Sequence, residues 1–172
     1  MLLDEQIQAL LTEKKRLPDN WRRKLKIKRK THNCHAEKEL EIQRADGGSF
    51  RIVLRQSHPN PFDFSVILLY EDSTGKTYIL RRYNGKHPSA HTNKWEKANG
   101  GKEYYFRNVF HIHTATERYQ TGDYGIDGYA EPTDKYFDFK TAFDRFIEDY
   151  GFELPPLSPS ASGVLFDPET IQ

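Results

Sequence analysis

The sequence predicts an α+β domain, on three observations: helical periodicity at both ends, strand-like alternation between them, and turn signals separating the alternating runs. Leu3, Ile7, Leu10 and Leu11 repeat at the i, i+4, i+7, i+8 spacing of an amphipathic helix over 2–16, which Pro18 closes. Phe139, Ala142, Phe143, Phe146, Ile147 and Tyr150 repeat the same way near the other end, with Asp138 as N-cap and Gly151 as the stop. Six runs between them read as strands. "RKLKIKRK" (23–30) sets Leu25 and Ile27 against Lys24, Lys26 and Lys28, and "THNCH" (31–35) turns the chain. "EKELEIQ" (37–43) puts Leu40 and Ile42 inward, "DGG" (46–48) signals a hairpin, and "SFRIVLRQ" (49–56) aligns Phe50, Ile52 and Leu54. "DFSVILLYE" (63–71) is almost continuously apolar, as a central strand covered on both faces should be. "DSTG" leads into "KTYILRRY" (76–83), and "YYFRNVFHIHT" (104–114) is the last run. The expected fold is an N-terminal helix, an antiparallel meander sheet of about six strands, and a C-terminal helix packed on one face. The other sheet face is left more polar.

A chain of 172 residues buries one core, so residues 1–153 are expected to form a single domain. The Pro- and Ser-rich stretch 154–172 has little to bury and reads as a flexible tail that orders only on binding. Charged residues are 30% of the chain and mean hydropathy is −0.84. No apolar run approaches the roughly 20 residues that span a bilayer. The start "MLLDEQIQALL" has acids where a signal peptide carries bases, so a cytoplasmic protein without membrane contact is expected. Cys34 is the only cysteine, which excludes an intrachain disulfide and a Cys-rich zinc site and fits a reducing compartment. Beside His32 and His35 it reads as part of an exposed turn rather than as a nucleophile.

Charge is unevenly spread. Residues 14–30 hold ten Lys/Arg against one Asp, whereas 117–153 hold ten Asp/Glu against four Lys/Arg. Lys14, Lys15, Arg16, Arg22, Arg23, Lys24, Lys26 and Lys28 are therefore candidate contacts to a nucleic-acid backbone, with Trp21 or exposed tyrosines available to stack on bases. The alternative is a solvated basic face, neutralised by the acidic C-terminal half.

Histidine carries the strongest candidate chemistry. In an extended "VFHIH" (109–113), His111 and His113 share one face and Phe110 and Ile112 the other. The polar segment 84–103, about 20 residues without periodicity, holds His87 and His91. In a meander the strand ending at Tyr83 neighbours the one holding His111. Arg81 or Arg82, Tyr83, His87, His91, His111 and His113 can then converge, with Lys86 and Tyr119 as further members. Three readings follow. In a metal-independent RNase, one imidazole takes the 2′-hydroxyl proton, another protonates the leaving oxygen, and a cation holds the phosphorane. In a divalent-metal site, His111 and His113 with His87 or His91 are ligands, completed by Glu117 or Asp123. In the third, the histidines are a solvent-facing strand row and a surface loop. No G-x-S-x-G elbow, P-loop or G-x-G-x-x-G follows a strand, which argues against serine hydrolase and nucleotide-binding classes.

The succession "FRIVLRQ", "DFSVILLY", "YILRRYNGKH", "VFHIHTATERY" and "FKTAFDRFI" resembles a prokaryotic family of uncharacterised single-domain proteins. More loosely, it resembles the TumE toxins of bacterial toxin–antitoxin pairs, over roughly residues 50–150. Arg82, Tyr83, Asn84 and His87 fall where that family carries an arginine–tyrosine–aspartate–asparagine stretch followed by histidines. His111 and His113 fall where its second histidine-rich strand lies. The chain departs from the pattern at Asn84 and Gly85, where the family has an acid, and at Phe110, where its second motif is denser in histidine. The resemblance implies a growth-inhibiting protein acting on RNA and neutralised by a cognate antitoxin. On that reading His111 and His113 are the acid–base pair, His87 and His91 assist, Arg82 holds the anion and Tyr83 positions it. The alternative of another class is a non-catalytic nucleic-acid- or protein-binding module, such as a phage-encoded inhibitor of host defence, using the basic face.

Overall fold

The computed structural model describes the backbone of residues 1–29, 35–101 and 105–155, and their side chains apart from those of 26–29 and 35. Cys34, His32 and most of the expected tail lie outside the described residues. In chain order the elements are α1 (Asp4–Thr12), β1 (Lys15–Arg16), α2 (Trp21–Lys24), β2 (Lys26–Arg29), β3 (His35–Gln43), β4 (Ser49–Ser57), β5 (Phe64–Glu71) and β6 (Thr77–Asn84). There follow β7 (Ala90–Thr92), α3 (Lys94–Ala98), β8 (Tyr105–Arg107), β9 (His111–Thr114), α4 (Glu117–Thr121), β10 (Tyr129–Pro132), α5 (Phe139–Asp149) and β11 (Phe152–Glu153). The fold is the expected α+β type.

The main sheet has the order β10-β9-β6-β5-β4-β3-β2, and every neighbouring pair in it is antiparallel. Five of the six expected strands enter it in meander order. The sixth breaks in two. Asn108, with φ of +53°, ends the extended backbone after β8, and β9 then joins the sheet beside β6. β8, from the first half of that run, pairs instead with β7, which lies in the segment 84–103 expected to be a polar loop, and the two form a separate two-stranded sheet.

One sheet face meets the helices. Phe50, Ile52 and Leu54 of β4, Val66 and Leu68 of β5 and Tyr83 of β6 pack with Ile7, Leu10 and Leu11 of α1 and Phe139, Ala142, Phe143 and Phe146 of α5. Asp138 caps α5 as expected, accepting from the Thr141 N–H at 2.7 Å, and Gly151 (φ +66°) follows its end. A Cβ at Gly151 would lie 2.8 Å from the Glu13 carbonyl, so the close approach of the two helix ends requires glycine.

Helix α1 is shorter than its periodicity suggests, because Lys15–Arg16 leaves it to pair in parallel with Phe152–Glu153. Lys15 is buried. Its Nζ donates to the carbonyls of Leu10, Leu11, Glu13 and Tyr150 at 2.7–3.1 Å, satisfying the orphan C-terminal acceptors of α1 and tying them to the end of α5. It is therefore a structural cation, not a backbone contact for nucleic acid. Trp21 is likewise withdrawn from base stacking: it is buried and stacked on Phe143 at 6.0 Å. Arg22, Arg23 and Lys24 lie on the short α2, not on a strand, and are exposed, as are Lys14 and Arg16. Lys14 pairs with Glu153 at 2.8 Å. Lys26 and Lys28 stand opposite Glu39 and Glu37 in the β2–β3 register, and their side chains lie outside the described set. No described helix is long and apolar enough to cross a membrane.

Candidate functional site

The register of three strands assembles the site. Arg82 lies opposite His113 and Asn84 opposite His111 across β6–β9, while Ala130 and Pro132 of β10 face His113 and His111 from the other side. Alternation then sends Arg82, Asn84, His111 and His113 to the face away from the helices, and Tyr83 and Ile112 into the core. The β7–β8 hairpin folds over this face. His91 of β7 sits 4.7 Å, centroid to centroid, from His113 and 5.9 Å from His111, and His87 sits 5.1 Å from His111. Phe106 of β8 stacks on His91 at 5.0 Å and meets the edge of His111 at 5.1 Å. His111 and His113 are consequently only 2% and 4% exposed. The expected convergence of four imidazoles with Arg82 is present, but it is covered.

Hydrogen-bond partners assign the tautomers of the two strand histidines. The Ser65 hydroxyl donates to Asn84 Oδ1 at 2.8 Å, which turns the Asn84 amide donor toward His111 Nε2 at 3.2 Å. His111 Nε2 is thus the acceptor nitrogen, and Nδ1–H donates to the Val109 carbonyl at 2.8 Å. His113 Nδ1–H donates to the Asp127 carbonyl at 2.8 Å, leaving Nε2 as its lone-pair atom. His91 is oriented the opposite way. Asn93 bridges the N–H and C=O of Ala130 on the edge strand β10, both at 2.8 Å, and its Oδ1 accepts from His91 Nε2 at 2.9 Å. Asn93 thereby covers an exposed edge and anchors the hairpin to it.

Burial sets the charge state. Desolvation, with the nearby imidazoles and the Arg82 guanidinium adding to it, lowers His111 to about 4. Desolvation, then Arg82, lowers His113 to about 2, and burial also lowers His91. Near neutral pH these rings are uncharged. Burial thus sets up no charge difference between His111 and His113 near neutral pH: each ring is neutral and keeps a single proton, on Nδ1, held by a backbone carbonyl.

Arg82 is the cation of the site. One of its terminal nitrogens lies 2.7 Å from Asp127 Oδ2 and 3.3 Å from His113 Nδ1. The ion pair is close but poorly aligned, since Arg82 Nε and Asp127 Oδ2 both lack a hydrogen-bond partner. The guanidinium retains donor capacity beside the imidazoles. Asp127 and Asn93 are site members that the sequence reading missed, and Asn84, which it placed in the first motif, was given no role. Their signal was weak: single polar residues, Asn84 at a strand end placed by register, Asn93 before α3 and Asp127 in the turn before β10.

Other expected members fall elsewhere. Tyr83 is fully buried on the helix face, its hydroxyl donating to Asp149 at 2.5 Å, so it lies on the opposite side of the sheet from the histidines. Arg81 also leaves β6 on the helix side, over the Tyr150 ring. Tyr119 is buried and donates to Glu96, whereas Lys86 is exposed above the Phe110 ring. Glu117 is engaged with Asp4, and Asp123 is exposed in a turn at φ of +59°. Among the described residues, no three His, Cys, Asp or Glu side chains have an arrangement that could hold a metal ion. Comparison with known proteins gives no match, neither to a family model, nor to a curated sequence, nor to a solved structure.

Proposed function

We propose that the histidine–arginine cluster is the functional centre of a toxin-like, metal-independent ribonuclease. The observation that carries this reading is the convergence on one sheet face of neutral imidazoles with a guanidinium that has donor capacity to spare. His113 Nε2, whose opposite nitrogen is fixed by the Asp127 carbonyl, is the general base in this reading, and it acts only once water and substrate reach the ring, because burial holds its pKa at about 2, too low to take a proton from a hydroxyl. In this chemistry the base removes the 2′-hydroxyl proton. The oxygen attacks the adjacent phosphorus, the 5′-oxygen leaves with a proton, and a 2′,3′-cyclic phosphate results. Arg82 neutralises the charge that builds on the non-bridging oxygens. His87 takes the acid role by position: it is only half-buried, lies at the rim of the cluster and touches His111. His91 packs over His113 and His111, and Asn84 fixes His111.

The exposed cations Lys14, Arg16, Arg22, Arg23 and Lys24 supply backbone attraction in this reading, and a cognate antitoxin protein is the expected partner. The test is a growth assay on induced chain. His113→Ala and Arg82→Ala should each relieve growth inhibition, with RNA turnover lowered by about 10²–10⁴ for loss of the general base. Parent-like toxicity of both variants rejects the catalytic assignment. If charge reversal at Arg22, Arg23 and Lys24 abolishes function while the histidine variants keep it, the non-catalytic binding module is the correct class.

A further inference from the structure

The opposite side of β6 carries a feature that the histidine chemistry does not use. Arg81 and Arg82 leave the strand on opposite faces, and Arg81 faces α5, its guanidinium carbon 5.9 Å from the Tyr150 ring centre. Among the described residues Arg81 has no carboxylate in ion-pair contact, and its Nε is buried without a hydrogen-bond partner. Arg51, Arg55, Arg82 and Arg145 also have a buried Nε without a partner, but each of these stands within ion-pair distance of an acid.

A partly buried guanidinium without a counter-ion is costly, and an unmet buried donor adds to the cost. Arg81 lines a cavity of about 260 Å³ together with Lys135, Thr114, Thr133, Tyr150 and Glu131. Two cations thus face one carboxylate, and Glu131 is already engaged by the Tyr129 hydroxyl. The volume is below the roughly 300–1,000 Å³ of pockets that enclose whole drug-sized ligands, which suits a small anion better than a nucleoside. Guanidinium presents paired donors that match an oxyanion, and threonine hydroxyls add neutral ones.

We propose that this cavity is an oxyanion site that takes a phosphate group, gripped by Arg81 and neutralised at the rim by Lys135. It lies on the other face of the sheet from the histidines, so it stands whether or not the ribonuclease reading does.

The test is calorimetric titration of the full chain with inorganic phosphate at low ionic strength. The expected result is saturable binding of one phosphate per chain, weakened at least tenfold in Arg81→Gln and severalfold in Lys135→Gln. Lys140→Gln, which removes a cation paired with Asp144 on the outside of α5, should leave it unchanged. A 5′-phosphorylated oligoribonucleotide, compared with its 5′-hydroxyl form, tells a nucleic-acid end from free phosphate as the source of the anion. Absence of saturable phosphate binding to the parent chain overturns the proposal. So does unchanged affinity in Lys135→Gln, an exposed position whose variant folds even if Arg81→Gln does not.

Discussion

Asn84 decides what His111 can do. Its amide donates to Nε2 and keeps that nitrogen unprotonated, whereas an aspartate there could only accept and would favour the imidazolium. Asn84→Asp should therefore raise the His111 pKa well above its present value of about 4, as read from the imidazole proton shifts in an NMR titration. An unmoved titration would mean that burial alone governs the ring. The next residue is constrained for another reason. A Cβ at Gly85 would lie 1.9 Å from the Phe62 carbonyl oxygen and 2.7 Å from the buried Phe64 ring, and neither is the free end of a flexible side chain. Gly85→Ala should cost about 1–3 kcal/mol in urea unfolding, the range for overpacked sites. Lys15→Met leaves four buried carbonyls without their common donor and should cost about 1–3 kcal/mol. A surface-like change below about 0.5 kcal/mol would show that water replaces the ammonium.

At the scale of elements, the β7–β8 hairpin is the part on which function turns. It holds His91 and Phe106 over the histidine row and is anchored through Asn93 to the edge of β10. It helps to bury His111 and His113, so the proposed ribonuclease requires it to lift before RNA reaches them. The backbone amides of 90–92 and 105–107 should therefore exchange with solvent faster than those of the central strands β4 and β5. Equal protection across the hairpin and the central sheet would contradict a moving cover. The hairpin was only half legible in the sequence. Its length and lack of periodicity marked 84–103 as a polar loop, since "KHPSAHTN" and "YYFR" are too short and polar to announce strands, and only Asn108 at positive φ shows where a single expected strand breaks. The meander itself was legible, since Phe50, Ile52 and Leu54, then Val66 and Leu68, alternate or run together as strands facing a helix layer must. The alternation of "RKLKIKRK" misled at its start, because α2 and the buried Trp21 take the chain around a corner before β2 begins.

At the scale of the whole molecule, the sheet divides two chemistries: helices and an aromatic core on one face, and a covered histidine–arginine cluster on the other. That division makes the stability of the fold sensitive to acid. His111 and His113 have native pKa values of about 4 and about 2, below the roughly 6.5 of an unfolded histidine. Between those values the unfolded chain binds more protons than the native one, so stability rises with pH and is lost on acidification below about 6.5. Urea midpoints should fall from pH 7 to pH 5, and His113→Asn should flatten that slope. A parent slope no steeper than the variant's would show that the ring is not held neutral by the fold. The same pairing of faces explains what the sequence could and could not tell about the site. Same-face placement of His111 and His113 followed from a period of two, and so did their proximity to Arg82 once the strands were neighbours. Depth did not follow, because no local pattern in 109–113 records that a hairpin will cover it. Nor did the loss of Lys15 from the basic surface, which depends on a helix ending three residues earlier.

The most direct test is cleavage of a defined single-stranded RNA by purified protein in excess chelator, with the product ends identified by mass spectrometry. Cleavage leaving 2′,3′-cyclic phosphates, reduced at least a hundredfold by His113→Ala and by Arg82→Ala, is the outcome expected here. Undiminished cleavage in both variants, or none by the parent protein with any RNA under conditions where it arrests growth, would contradict it.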